Sequence, residues 1–279
     1  MSERKPVTIF DFAAKKAKGE RLVVVTAYDY PSARFADAAG VDALLVGDTV
    51  GMVALGYDTT LPVTMEAMVH HVSAVVRAKP KALVVADLPF LSYQTSAEDA
   101  LRNAGRLLRD GGAAAVKLEG GRRSAETVAR LVDAGIPVMG HLGLTPQSTH
   151  AMGRRIQARS PERARELLED ALALQEAGVF GIVLETIPDE VARVVTAELQ
   201  IPTIGIGAGP HCDGEVQVFH DLLGLYDRFV PKHTRQYAQL GTAITEAIAA
   251  FAADVRSGAF PTEANTFHEP SLEDASWKS

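Results

Sequence analysis

Short apolar runs alternate along this chain with longer amphipathic stretches. The runs are "RLVVVTAYD" (21–29), "VDALLVGDT" (41–49), "KALVVADLP" (81–89), "AAAVKLEGG" (113–121), "IPVMGHLG" (136–143), "FGIVLETIP" (180–188) and "IPTIGIGAG" (201–209), with a weaker eighth, "VQVFHDLLG" (216–224). They are nearly continuous in apolar, often β-branched residues, as parallel strands covered on both faces must be. Between them the spacing predicts helices over 64–78, 96–111, 160–178 and 235–258. The second begins at Ser96 with Glu98 and Asp99 in its first turn and ends at Arg109 before Gly111, and the third has Ser160 as cap and Pro161 at its first position. About eight strand–helix units in 279 residues predict a single-domain α/β (β/α)₈ barrel over 1–268, with an open doubly wound sheet as the competing arrangement. The polar end, 269–279, reads as a loose tail.

Composition narrows the function classes. The net charge is −7 with no long basic run, which argues against a nucleic-acid or anionic-membrane binder. No apolar stretch reaches membrane-spanning length, and the N-terminal segment lacks the apolar core of a signal peptide. One cysteine, Cys212, permits no internal disulfide and no cysteine-based zinc site, and suits a cytoplasmic protein.

The candidate chemistry lies at the strand ends. In "AAAVKLEGG" a buried run stops at Lys117 and Glu119, two residues apart and so on one face. Taken singly, that ending reads as a solvated ion pair. Other strands end alike: Asp48 and Thr49, Asp87, His141 and Glu185. In a barrel these ends meet at one mouth. Asp48, Asp87, Glu119 and Glu185 would crowd negative charge there unless a cation or proton intervened. Carboxylates without cysteine or a close histidine pair suit a hard, oxygen-ligated ion, Mg²⁺ first. Lys117 offers a point charge to a substrate carboxylate and Thr49 a hydroxyl. Glu185, from a later strand, is the candidate general base. An ion and a base together suit proton removal next to a carbonyl. His141 reads equally as a packed histidine or a site residue. Tyr28 reads as lining the mouth, "GIGAG" (205–209) as a tight turn rather than a phosphate loop, His70-His71 as a helix face or subunit contact, and Cys212 as a packing residue without a histidine partner.

The segments "TAYDY", "LLVGDTVGM", "TLPVTMEAM", "ADLPF", "VKLEGG", "GHLGLTPQS", "VLETIP", "IGIGAG" and "SGAFPTEANTFH" occur in an order and spacing that resemble the ketopantoate hydroxymethyltransferase family from about residue 6 to about 268. The resemblance implies a Mg²⁺-dependent (β/α)₈ barrel of pantothenate biosynthesis. It also implies transfer of a one-carbon unit from 5,10-methylenetetrahydrofolate to 3-methyl-2-oxobutanoate through a Mg²⁺-stabilised enolate. By motif, Asp48, Asp87 and Glu119 match the metal-site carboxylates, and Asp48, Thr49, Asp87 and Lys117 the oxo-acid contacts. Glu185 matches the base, and His141 a site-lining histidine. Members of the family form homo-oligomers, commonly decamers.

Three departures stand out: Thr49 in place of a more usual serine, Tyr57 in place of histidine, and "IQARS" in place of a glycine-containing stretch. Two rival readings are a lyase or mutase of the isocitrate lyase and phosphoenolpyruvate mutase type, and a non-catalytic oxo-acid-binding barrel. The first would carry a cysteine-bearing loop such as "KKCGH", which is absent.

Overall fold

A computed structural model of the chain describes residues 4–273 and 276–278. Eight parallel strands close into a barrel in sequence order: β1 (Leu22–Thr26), β2 (Ala43–Val46), β3 (Leu83–Asp87), β4 (Ala115–Lys117), β5 (Val138–Gly143), β6 (Gly181–Glu185), β7 (Thr203–Ile206) and β8 (Gly214–Gln217), with β8 pairing back onto β1. The closed order rules out the open doubly wound sheet. The helices are α1 (Ile9–Lys18), α2 (Tyr30–Ala38), α4 (Met65–Val76), α5 (Ala97–Arg109), α6 (Ala125–Asp133), α8 (Pro161–Glu176), α9 (Asp189–Glu198) and α11 (Leu240–Ser257). Three single-turn pieces fall among them: α3 (Val50–Val53), α7 (Thr149–Met152) and α10 (Phe219–Leu222).

Caps start the main helices where the spacing predicts. Thr64 accepts a bond from Ala67 N–H, Ser96 from Asp99 N–H and Ser160 from Arg163 N–H, each satisfying a backbone donor the helix cannot. Two expectations shift. The run 216–224 is strand only to Gln217 and then turns into α10. The closing helix begins at Leu240, not near 235, and buries none of its residues. Of the 269–279 tail, Pro270–Leu272 and Ser276–Lys278 form single turns, while 274, 275 and 279 lie outside the described residues.

Two apolar layers follow from strand alternation. One set of side chains packs outward against the helices; Leu44, Ala86, Val116, Leu142 and Leu184 belong to it. The other fills the barrel, and includes Val24, Leu45, Val85, Ala115, Met139, Val183 and Ile204. Phe12 of α1 joins the inner set, fully buried, with its ring edge-on to Phe180 at 5.5 Å. α1 therefore stoppers the barrel at the end opposite the strand C-termini. The inner rows continue upward into polar residues by period two: Val24 to Thr26, Val85 to Asp87, Ala115 to Lys117, Met139 to His141 and Val183 to Glu185. The polar cluster is thus the top of the same stack that forms the core.

Removing the Phe12 ring should cost about 3–5 kcal/mol, the usual penalty for a buried aromatic. Phe12→Ala is therefore expected to lower the urea midpoint clearly while metal binding at the far end persists. A wild-type midpoint would show that the stopper contributes nothing.

Candidate active site

Parallel register sets the site. Asp87 pairs directly with Lys117 across β3 and β4, and Lys117 Nζ lies 2.9 Å from Asp87 Oδ1. That contact is close but poorly aligned, because Asp87 Oδ1 has no hydrogen bond of good geometry. Asp87 Oδ2 instead accepts from Asp48 N–H at 3.1 Å. The backbone can come this near because Gly47 carries no Cβ; one placed there would stand 3.3 Å from Asp87 Oδ2.

His141, from β5, links the two halves of the mouth. Its Nδ1 lies 3.3 Å from Lys117 Nζ and 3.6 Å from Glu119 Oε1. Its Nε2 lies 3.3 Å from Glu185 Oε2, again without good alignment. Burial, then the neighbouring Lys117 charge, hold the imidazole well below its usual range. It is therefore neutral. The ammonium facing Nδ1 makes that nitrogen the acceptor and places the N–H on Nε2, toward Glu185.

Asp48, Asp87, Lys117, Glu119 and His141 are each at most 4 % exposed. Burial pushes the Asp48 carboxyl up to about 7, with Asp87 adding repulsion. Burial, then Asp48, raises Glu119 well above its usual range. Burial likewise raises Glu185 to about 7. Lys117 is moved the other way: burial opposes its charge, but Asp87, Glu119 and Asp48 outweigh that and push it up to about 12. These are shifts of a cluster with more negative than positive charge in a poorly solvated place.

A divalent cation fits that imbalance. The donors are carboxylate oxygens, which suit a hard ion, and Asp87 Oδ1 is buried without an aligned partner. The three expected ligands are gathered but do not form a finished cage: among the described residues no group of three or more His, Cys, Asp or Glu is arranged to hold an ion as it stands. Mg²⁺ characteristically takes one or two carboxylates and completes its shell with water and substrate. The cavity between these residues is small, about 50 Å³, and Thr26, Thr49 and Pro146 also line it.

Glu185 ends β6, and the next residue, Thr186, turns the chain at φ +51. That region is unfavourable for a β-branched residue. It is held by Thr186 N–H donating to Ile206 O and Gln157 N–H donating to Thr186 O, both 2.9 Å.

The polar bonds around the carboxylates come largely from a residue not singled out from sequence. Gln147 stands in the loop after β5. Its backbone N–H donates to Glu119 Oε2 at 3.1 Å, and its Nε2 donates to Asp48 Oδ2 at 2.8 Å and Leu88 O at 2.9 Å. Its Oε1 accepts from the Tyr93 hydroxyl at 2.9 Å. The segment Thr145–Ser148 is thereby pinned over the site. Gln147 and Tyr93 sit in loops with no periodic signal; only the quoted segment "GHLGLTPQS" marked the former.

Of the other candidates, Tyr28 lies close enough to the site to feel the charges of Asp87 and Asp48. Tyr57 is 42 % exposed. His71 Nδ1 lies 2.7 Å from Tyr28 O. Tyr28 is buried with its hydroxyl unpartnered, and Cys212 is a buried free thiol.

A family model described as ketopantoate hydroxymethyltransferase matches residues 6–263. A curated relative from Moorella thermoacetica, named 3-methyl-2-oxobutanoate hydroxymethyltransferase, is 58 % identical over 96 % of this chain and 100 % of its own length. One of the same name from Geobacter sulfurreducens is 56 % identical over 93 % and 98 %. Solved structures share the fold at much lower identity. A 2,3-dimethylmalate lyase, described as a PEP mutase/isocitrate lyase superfamily member, aligns with TM-score 0.57 at 18 % identity, covering 97 % of this chain and 96 % of that one. A phosphonopyruvate hydrolase in complex with oxalate and Mg²⁺ aligns with TM-score 0.60 at 14 % identity, covering 93 % of each.

In metal-free protein, Asp48, Glu119 and Glu185 keep protons when folded that they release when unfolded. A raised folded pKa contributes stability that is full below the ordinary carboxylate range near 4 and is lost as pH rises through about 7. In EDTA the urea midpoint should therefore fall between pH 5 and pH 8. Mg²⁺ needs the ionised carboxylates, so it should stabilise more at pH 8, by about 2.7 kcal/mol at a hundredfold excess over its dissociation constant. Equal stabilisation at both pH values would count against a carboxylate-held ion.

Proposed function

The chain belongs to the ketopantoate hydroxymethyltransferase family and is a hydroxymethyl transferase, and on that premise we propose that it uses 5,10-methylenetetrahydrofolate as donor and Mg²⁺ as cofactor. The observation that carries the mechanism is the neutral His141 set between Lys117 and a Glu185 whose carboxyl is raised to about 7.

Asp48, Asp87 and Glu119 would hold the cation, with Thr49 and Lys117 beside it for the carboxylate of 3-methyl-2-oxobutanoate. When bound, the ion supplies stabilisation for negative charge developing on the keto oxygen. Glu185 then removes the C3 proton. Its raised pKa makes it a stronger base than a solvated carboxylate yet leaves a large ionised fraction at neutral pH. His141 Nε2–H faces Glu185 and orients it, while Nδ1 takes the Lys117 ammonium and so couples the base to the substrate carboxylate. In the net reaction the C3–H bond breaks, C3 bonds to the donor's methylene carbon, that carbon leaves the folate nitrogens, and water supplies the hydroxyl oxygen.

A phosphonopyruvate hydrolase of the same fold was solved in complex with oxalate and Mg²⁺, a pairing of small carboxylate ligand and ion like the one proposed here. The relatives at more than 50 % identity favour hydroxymethyl transfer over the lyase or mutase reading.

A homo-oligomer is part of the proposal. α11 carries Ile244, Ile248, Phe251 and Val255 at helical spacing, each 48–61 % exposed, and a second copy of the chain is the occupant such a stripe fits. A cytoplasmic location also belongs to it. The free buried Cys212 supports this, and among the described residues no helix is long and apolar enough to cross a membrane.

Deuterium exchange at C3 of 3-methyl-2-oxobutanoate, followed by NMR with Mg²⁺ and without folate, tests the mechanism. Exchange should vanish in EDTA and fall by about 10²–10⁴ in Glu185→Gln, the range for losing a general base. Exchange undiminished in Glu185→Gln would move the base elsewhere. The oligomer is read by light scattering: wild type should elute as a multiple of 29.7 kDa, and Ile248→Asp with Phe251→Asp should reduce its mass. An unchanged mass in that double variant would remove α11 from the interface.

A further inference from the structure

A base that takes a proton in each turnover must also give it up. Glu185 faces His141 on one side, with His141 Nε2 3.3 Å from Glu185 Oε2. That imidazole is buried, and its Nδ1 meets the Lys117 ammonium at 3.3 Å. With its N–H turned toward Glu185 it has no free lone pair for a second proton, and burial and the Lys117 charge both oppose one. A proton on Glu185 therefore cannot leave through His141. The Glu185 side chain is more open, 18 % exposed against 4 % for His141, so its exit lies on another side.

His233 stands on that side. It belongs to the segment between α10 and α11, which is tied back to the barrel around it. Thr234 Oγ1 donates to Gln217 Oε1 at the end of β8, at 3.2 Å. Thr234 N–H donates to Pro231 O at 2.9 Å, and Tyr237 N–H to Leu222 O at 2.8 Å. The imidazole rests on Gly207, just after β7, where an added Cβ would stand 2.9 Å from His233 Nδ1 and 3.2 Å from its Cγ. Gly207 is at φ +64, so glycine serves both the turn and the close approach. The residue before it, Ile206, pairs in register with Glu185. The ring thus sits at the head of the strand beside Glu185, and each side chain feels the other's charge.

His233 is half-buried and makes no hydrogen bond among the described residues. Burial holds it below its usual range, with the Glu185 charge opposing. It is therefore neutral near pH 7, with a ring nitrogen free to accept. Glu185 is faced by Lys117, His141 and His233; of the three, only His233 combines a free acceptor with access to water.

We propose that His233 is the proton exit of the active site, relaying to solvent the proton that Glu185 removes from C3. The inference rests on the reading of Glu185 as base. The C3–H bond breaks, its electron pair stays with the oxo acid, and the proton goes to a Glu185 oxygen. From there it passes to a ring nitrogen of His233, directly or across one water, and the imidazolium releases its other proton to bulk water. Glu185 is left ionised for the next turnover. His233 acts through Glu185 and is not itself the base.

The test is deuterium entry at C3 of 3-methyl-2-oxobutanoate in D₂O, with Mg²⁺-loaded full-length protein, no folate and dilute buffer. Without an exit the proton on Glu185 returns to C3, and deuterium enters slowly although the bond still breaks. His233→Ala and His233→Phe should each slow entry by about 10²-fold, the lower end for losing a positioned proton-transfer group. Oxo-acid affinity by calorimetry should stay at the wild-type value in both. Added imidazole should restore entry in His233→Ala, which leaves room for it, and not in His233→Phe, which fills the place on Gly207; wild type should not respond. Wild-type entry in both variants would overturn the proposal. A loss in His233→Ala that imidazole leaves untouched would do so too, making His233 a packing residue. Entry undiminished in Glu185→Gln would sink the base assignment and the relay with it, an outcome told apart by that variant alone.

Discussion

Negative charge without water is the constraint on which this molecule turns. Asp48, Asp87 and Glu119 are buried within reach of one another with Lys117 as their buried cation. Like charges so placed destabilise the folded chain unless protons or a cation relieve them. The protein accommodates them with a neutral histidine, an amide that donates to two of the carboxylates through its backbone and its side chain, and backbone approach at Gly47. Each device stabilises the apo state and leaves the cluster receptive to an ion.

The barrel makes that concentration possible. Strand alternation carries the inner rows from valine and methionine into aspartate, lysine, histidine and glutamate without a break in geometry. The side chains that do chemistry are thus supported by the side chains that hold the core, and their positions inherit its rigidity. Thr186, one of four non-glycine residues at positive φ among the described residues, departs from regular geometry immediately after the candidate base.

Much of this was legible because it depends on parity. Lys117 extends the inner row of β4 and Glu119 follows two residues on, just past the strand, and the repeated polar endings point to a common mouth from sequence alone; Asp48, three residues beyond inner Leu45, reaches the site through the turn after β2 instead. What was not legible depends on closure in three dimensions. Gln147 looks like any loop amide until the chain folds it onto Glu119 and Asp48, and Tyr93 until it meets Gln147. α11 has the pattern of a packed helix, yet the pattern is silent on whose surface it packs against, and within the chain none of its residues is buried. The run 216–224 is apolar throughout, and apolarity alone does not distinguish the strand at Gln217 from the helical turn that follows.

Phe12 also sets a floor. The inner side chains stand on it layer upon layer up to Thr26, Asp87, Lys117, His141 and Glu185, so the height at which the polar groups are held is measured from a ring at the far end of the barrel.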